Sequence, residues 1–150
     1  MSFLSTIDIS ASGLTAQRLR MDTIANNMAN AETTRVANGT GPYHRQVVVF
    51  EARSGEKASF NNILEAQMQA TGSGVRVKEI REISDAESPY RRVYNPSHPD
   101  ADAQGYVNYP NVNIVEEMIN MISSTRAYEA NAKVIEGTKS MAARALEIGR

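Results

Sequence analysis

The sequence predicts an α+β protein in which long N- and C-terminal helices pair as a coiled coil around a small β-rich middle module. Two observations predict it: apolar residues step by three and four at both ends, and β-branched residues and turn chemistry fill the middle. The chain thus divides into a first helix over 1–34, a small β-rich module with loops over 35–110, and a last helix over 111–150.

In the first segment the apolar stripe runs Leu4, Ile7, Ala11, Leu14, then Met21, Ala25 and Met28, with Arg18 alone breaking it. Alternating steps of three and four are the seam of a coiled coil rather than the wider face of a helix on a globular core. Gly13 costs about 1 kcal/mol against Ala inside such a helix. Three asparagines, Asn26, Asn27 and Asn30, crowd its end. They admit two readings: helix termination by poor helix formers, or amides that donate and accept across a subunit boundary.

The last segment is better signposted. Tyr109-Pro110-Asn111 reads as a turn, and Asn113 with Glu116 has the offset of a capping box. Ile114, Met118, Met121, Thr125, Tyr128, Ala132, Ile135, Lys139, Ala142 and Leu146 then step by four and three. Val115, Ile119 and Ile122 form a second apolar line beside the first half. Gly137 is the internal weak point and Gly149 the stop.

Between the helices, Asn38-Gly39-Thr40-Gly41-Pro42 is turn chemistry and 43–51 reads as a strand. A second strand follows Gly72-Ser73-Gly74, and Val93-Tyr94 and Tyr106-Val107 supply two short ones. Residues 60–70 fit either a short helix or a loop. With nine aromatic residues in all and no Trp, this module buries little surface.

Sixteen basic and seventeen acidic side chains leave a net charge of −1, which points to no nucleic-acid partner. No apolar run approaches a membrane span, and the start lacks the basic and apolar regions of a cleaved signal. Without cysteine there is no disulfide or thiolate chemistry, and His44 and His98 lack metal-ligand spacing. Adjacent Glu116 and Glu117 point about 100° apart on a helix and suit its dipole better than a shared site. Gly72-Ser73-Gly74 lacks the rest of a phosphate-binding motif. Arg91-Arg92 beside Tyr90 and Tyr94 reads as a solvated strand edge. No catalytic residue, cofactor, metal or small-molecule substrate is expected.

Ser12-Gly13-Leu14, Ala16-Gln17 and Ala25-Asn26-Asn27-Met28-Ala29-Asn30 resemble the N-terminal signature of the flagellar rod and hook family. Tyr94-Asn95-Pro96, His98-Pro99 and Gly105-Tyr106-Val107 through Pro110-Asn111-Val112 are similar to the central signature of its FlgC type. Glu117-Met118-Ile119 and Arg126-Ala127-Tyr128-Glu129-Ala130-Asn131 resemble the shared C-terminal helix. The resemblance implies a structural subunit of the proximal rod of the flagellar basal body, part of the drive shaft for motility, exported without a cleaved signal peptide. It implies partners among further copies of itself, rod proteins of the FlgB, FlgF and FlgG types, the FliE-type protein and the flagellar export apparatus. A secreted coiled-coil adaptor forming discrete oligomers is the alternative.

The residues expected at the assembly interface are Leu4, Ile7, Leu14, Arg18, Met21, Asn26, Asn27 and Asn30 from the first helix. From the last helix they are Met118, Ile119, Ile122, Arg126, Tyr128, Asn131 and Ile135. If the helices pair antiparallel with Leu4 near Ile148, Arg18 falls close to Val134, within reach of Glu136. Arg18 then either snorkels to water or meets an acid and fixes the register.

Overall fold

A computed structural model of the chain describes residues 3–36, 41–53 and 72–149. The ambiguous stretch 60–70 and most of the turn at 38–42 lie outside them.

Helix α1 spans Phe3–Ala29 and helix α2 spans Ile114–Ile148. At 35 residues α2 is on the order of 50 Å long. Asn113 starts it as the expected cap, but its Oδ1 accepts from the Val115 N–H at 3.0 Å rather than from Glu116. The helix stops where Gly149 N–H bonds back to the Ala145 carbonyl. The end of α1 is closed by its asparagines: Asn30 Nδ2 donates to the Asn26 carbonyl and to Asn26 Oδ1, both at 3.0 Å. Asn30 Oδ1 in turn accepts from Thr33 Oγ1. Helix termination is therefore what Asn30 does.

Among the described residues four strands lie between the helices: β1 Gln46–Ala52, β2 Val75–Glu82, β3 Arg91–Tyr94 and β4 Tyr106–Tyr109. They form two separate two-stranded sheets, β1-β2 and β3-β4. Backbone bonds from Arg53 N–H to the Gly74 carbonyl and from Ile83 N–H to the Arg45 carbonyl bracket the first pair antiparallel. In the second, also antiparallel, Arg91 faces Tyr109 and Val93 faces Val107. Val107 points into the protein, while Arg92, Tyr94 and Tyr106 on the other face are exposed.

The described residues fall into two compact units. One is drawn from Met1–Leu19, Val49–Glu79 and Ser124–Arg150, the other from Arg20–Val48 and Ile80–Ser123. In the first unit, Ser12 ties α1 to the start of β2: its Oγ donates to the Ile9 carbonyl and accepts from Val75 N–H. A Cβ on Gly74, whose φ is +92°, would sit 2.5 Å from that Oγ, so only glycine fits. In the second unit, Asp102 closes the loop between β3 and β4. Its Oδ1 accepts from the N–H groups of Gln104 and Tyr106, and Arg92 donates to Oδ2.

The core is small and largely polar. Its hydrophobic members among the described residues are Ala16, Ile24, Ala31 and Val107, joined by Pro42 and Pro110. Buried beside them are Ser10, Thr23, Asn27, Glu117, Ser124 and Thr138.

Two measurements check these local arguments. Gly74→Ala should destabilise the chain by about 1–3 kcal/mol in urea unfolding, through φ strain and the clash with Ser12. The backbone bond from Tyr106, helped by that from Gln104 and by the charge and hydrogen bond of Arg92, holds the Asp102 carboxyl below its ordinary 3.8 against an opposing desolvation. The folded value is the depressed one, so the stabilisation is present above 3.8 and lost as pH falls through the lower folded value. The amide resonances of Gln104 and Tyr106 should titrate with a midpoint under 3.8, and Asp102→Asn should abolish that titration.

Candidate assembly interface

The second unit is organised around one buried carboxylate. Glu117, 1 % exposed, comes from the first turn of α2 and Asn27, also 1 % exposed, from the last turns of α1. Asn27 Nδ2 donates to Glu117 Oε2 at 3.2 Å and to the Gln46 carbonyl at 2.8 Å. Its Oδ1 accepts from Gln46 N–H and from the Tyr43 hydroxyl, both at 2.9 Å. All four hydrogen-bonding positions of that amide are filled. Arg45 completes the site, its Nε and Nη2 both reaching Glu117 Oε1, at 2.8 and 2.5 Å. Burial, then the charges of Glu82 and Glu117, raise the Tyr43 pKa above the ordinary tyrosine value, so its hydroxyl stays protonated and donates. Asn111 fixes the approach of β1 by accepting from Arg45 N–H while donating to the Ser88 carbonyl.

In the first unit α1 meets α2 differently. A Cβ on Gly13 would lie 3.1 Å from both Nδ2 and Oδ1 of Asn131, so the missing side chain makes room for that amide. Asn131 spends its own donor on the Ala127 carbonyl. Ser124 is fully enclosed, and Thr138 turns its hydroxyl back to the Val134 carbonyl.

These contacts displace the expected seam by one residue. The buried residues of α1 are Ser10, Ala16, Thr23, Ile24 and Asn27, with Gly13 and Gln17 half-buried; Ser10, Ile24 and Asn27 fall one residue short of Ala11, Ala25 and Met28, and Ala16 and Thr23 two short of Arg18 and Ala25. On α2 the buried positions are Glu117, Ser124 and Thr138, and half-buried Asn131 completes the same step of seven residues. The apolar stripes are left further out. Ile7, Leu14 and Met21 are half-buried, as are Tyr128 and Ile135; Leu4, Met118, Ile119 and Ile122 are exposed, Ile119 by 62 %. Val115 and Ile114 extend this exposed apolar surface.

Arg18 and Arg126 are exposed, so Arg18 does not sit in the seam with Glu136. Asn26 is exposed and reaches Tyr43 and Gln46 only at 3.3 and 3.5 Å, and Asn27 works inside the chain. Arg45, Tyr43 and Glu117 as a buried site were not foreseen. The available signal was Glu117 falling in step with Met121, Ser124 and Tyr128 by four, three and four. Among the described residues no group of His, Asp or Glu could hold a metal ion, and no helix is long and apolar enough to cross a membrane.

Removing one partner of a buried charge pair typically costs about 3–5 kcal/mol, because the other charge is stranded. Arg45→Ala should therefore cost about 3 kcal/mol in chemical denaturation. Arg81→Ala, which breaks the exposed pair with Glu87, should cost under about 1 kcal/mol.

Comparison with known proteins fits this architecture of terminal helices. Residues 7–35 match the family model described as flagella basal body rod protein. Residues 103–148 match that of the flagellar basal body rod FlgEFG protein C-terminal region. The chain is 42 % identical over 153 aligned residues to the flagellar basal-body rod protein FlgC of Bacillus subtilis, covering all of both chains. It is 46 % identical to FlgC of Borreliella burgdorferi, covering 99 % of this chain and 98 % of that one. To FlgC of Escherichia coli O6:H1 it is 39 % identical, again over the whole of both. The chain belongs to the FlgC family of flagellar basal-body rod proteins, and is a structural rod subunit of the flagellar basal body.

Proposed function

We propose that the chain is a proximal-rod subunit that polymerises through its terminal helices into part of the drive shaft for motility. It performs no catalysis in this role. Within each subunit α1 and α2 pair as an antiparallel coiled coil; the approach of Gly13 to Asn131 and the bond of Asn27 to Glu117 support this, since both pairs share one antiparallel offset. Residues 1–34 and 111–150 are then the axial helices and 35–110 the small module beside them.

The observation that carries the reading is the one-residue displacement between the polar seam and the apolar stripes. A subunit that satisfied itself would turn Ile114, Val115, Met118, Ile119 and Ile122 inward. It turns Glu117 and Ser124 inward and leaves those five exposed. Contiguous apolar surface of this kind is what an obligate interface covers. The interface is built from Leu4, Ile7, Leu14, Met21, Met118, Ile119, Ile122, Tyr128 and Ile135, with Arg18, Arg126, Asn26, Asn30 and Asn131 at its polar margins and Asn27 bracing it from within. Its partners are further copies of the chain, rod proteins of the FlgB, FlgF and FlgG types and the FliE-type protein. The flagellar export apparatus delivers the chain.

Ile119→Asp tests this, because Ile119 is exposed in the single subunit. Its stability should shift by no more than about 0.5 kcal/mol, and export should continue. Incorporation into basal bodies and swimming should be lost, because the assembled interface would enclose an unpaired charge. Leu14→Asp should also abolish incorporation, with some loss of subunit stability. Motile cells carrying Ile119→Asp would overturn the interface.

A further inference from the structure

We infer that Asn27 with Glu117, and Gly13 with Asn131, form a two-point lock that determines the register in which α1 and α2 pair. The inference rests on the antiparallel pairing proposed above and assigns what specifies it. Apolar seams alone do not specify a register well: stripes stepping by three and four offer equivalent packing after a slip of seven residues. The enclosed positions here do not have that freedom.

The first point of the lock is chemical. Glu117 is 1 % exposed, with Arg45 supplying the opposite charge and Asn27 a hydrogen bond to its other oxygen. Asn27 is equally committed, holding Gln46 by both its N–H and its carbonyl. The second point is steric. Asn131 occupies the space that a side chain on Gly13 would fill. A slip of one heptad takes Asn131 from Gly13 onto Thr6 or Arg20, each of which carries the side chain that Gly13 lacks, and the same slip removes Asn27 from Glu117. Homotypic pairing of two α2 helices would enclose Glu117 without either partner. Right pairing therefore satisfies both points at once and wrong pairing fails at both. Single buried polar residues are known to set register in coiled coils at some expense of stability.

The chain has no cysteine, so introduced pairs report register directly. Disulfides form only between closely placed Cβ atoms, which makes them a strict gauge. In the full purified chain, Ile24→Cys with Asn120→Cys reports the native offset, and Ile24→Cys with Ala127→Cys reports a slip of seven. Under mild oxidation the native pair should link at least about tenfold faster than the slipped pair. Replacing the lock by Asn27→Leu with Glu117→Leu, together with Arg45→Met so that no charge is stranded, should keep the helical signal, since an apolar replacement of a whole buried ionic group preserves stability. It should bring the two linking rates to within about threefold of each other. A ratio that stays tenfold in the leucine background overturns the inference. If that background loses its helical signal, the decision passes to Asn27→Asp, which sets two carboxylates together and should abolish native linking. Adding Glu117→Gln then restores a donor facing an acceptor and should restore linking; failure to restore it overturns the lock. An unsubstituted lock in which neither pair links overturns the antiparallel pairing itself, an outcome distinct from the other two.

Discussion

Everything in the second unit depends on a carboxylate kept out of water. Taking an isolated carboxylate into a protein interior costs several kcal/mol even after relaxation, and Glu117 is tolerable only because Asn27, Arg45 and the groups behind them converge on it. Those partners come from α1 and from the residues leading into β1. The carboxylate therefore needs the end of α1, the entry to β1 and the start of α2 together, and each is positioned by its demand. Asn111 and Tyr43 serve the same centre at one remove, one by holding the Arg45 backbone and the other by filling the last acceptor site on Asn27. A core whose hydrophobic members among the described residues are Ala16, Ile24, Ala31 and Val107 has little else with which to define a geometry.

The helices, strands and turn residues are legible in the sequence because each follows from a strong local rule. Steps of three and four mark α1 and α2, β-branched residues mark β1 and β2, and Asn113 and Gly149 mark the limits of α2. The seam is misread by one residue for a physical reason. Hydrophobic periodicity finds Leu4, Ile7, Leu14, Met118 and Ile122 because they are large and apolar, and takes the face they share to be the one turned inward. Ser10, Ser124 and Thr138 are enclosed, and Gly13 stands against Asn131, because they are small and can bond to their own backbone or stand close to another helix. No hydropathy scale ranks that face as a seam. The error carried Arg18 with it, since a residue counted into the wrong face acquires the wrong neighbours.

The motifs that carried the resemblance gain a physical account from the contacts. Ser12-Gly13 at one end of the chain and Asn131 at the other look like separate signatures, yet Ser12 anchors a strand and Gly13 makes room for Asn131. Asn27 and Glu117, ninety residues apart, bond directly. The asparagines that seemed to offer one choice between capping and binding divide the work: Asn30 ends a helix, while Asn27 holds a buried acid.

A polar ladder also has a mechanical character that greasy packing lacks. Leucines in a seam slide past one another with a shallow energy profile, because dispersion contacts are short in reach but have no preferred direction. A hydrogen bond is different: stretch it by about an ångström beyond 3 Å, or bend it far from straight, and most of it is gone. Helices joined at Asn27 and Glu117 and fitted at Gly13 and Asn131 therefore resist axial shear stiffly over small displacements. At each of these contacts, stiffness against small slips comes from the direction of the bond or the fit of the side chain and not from the total area of contact.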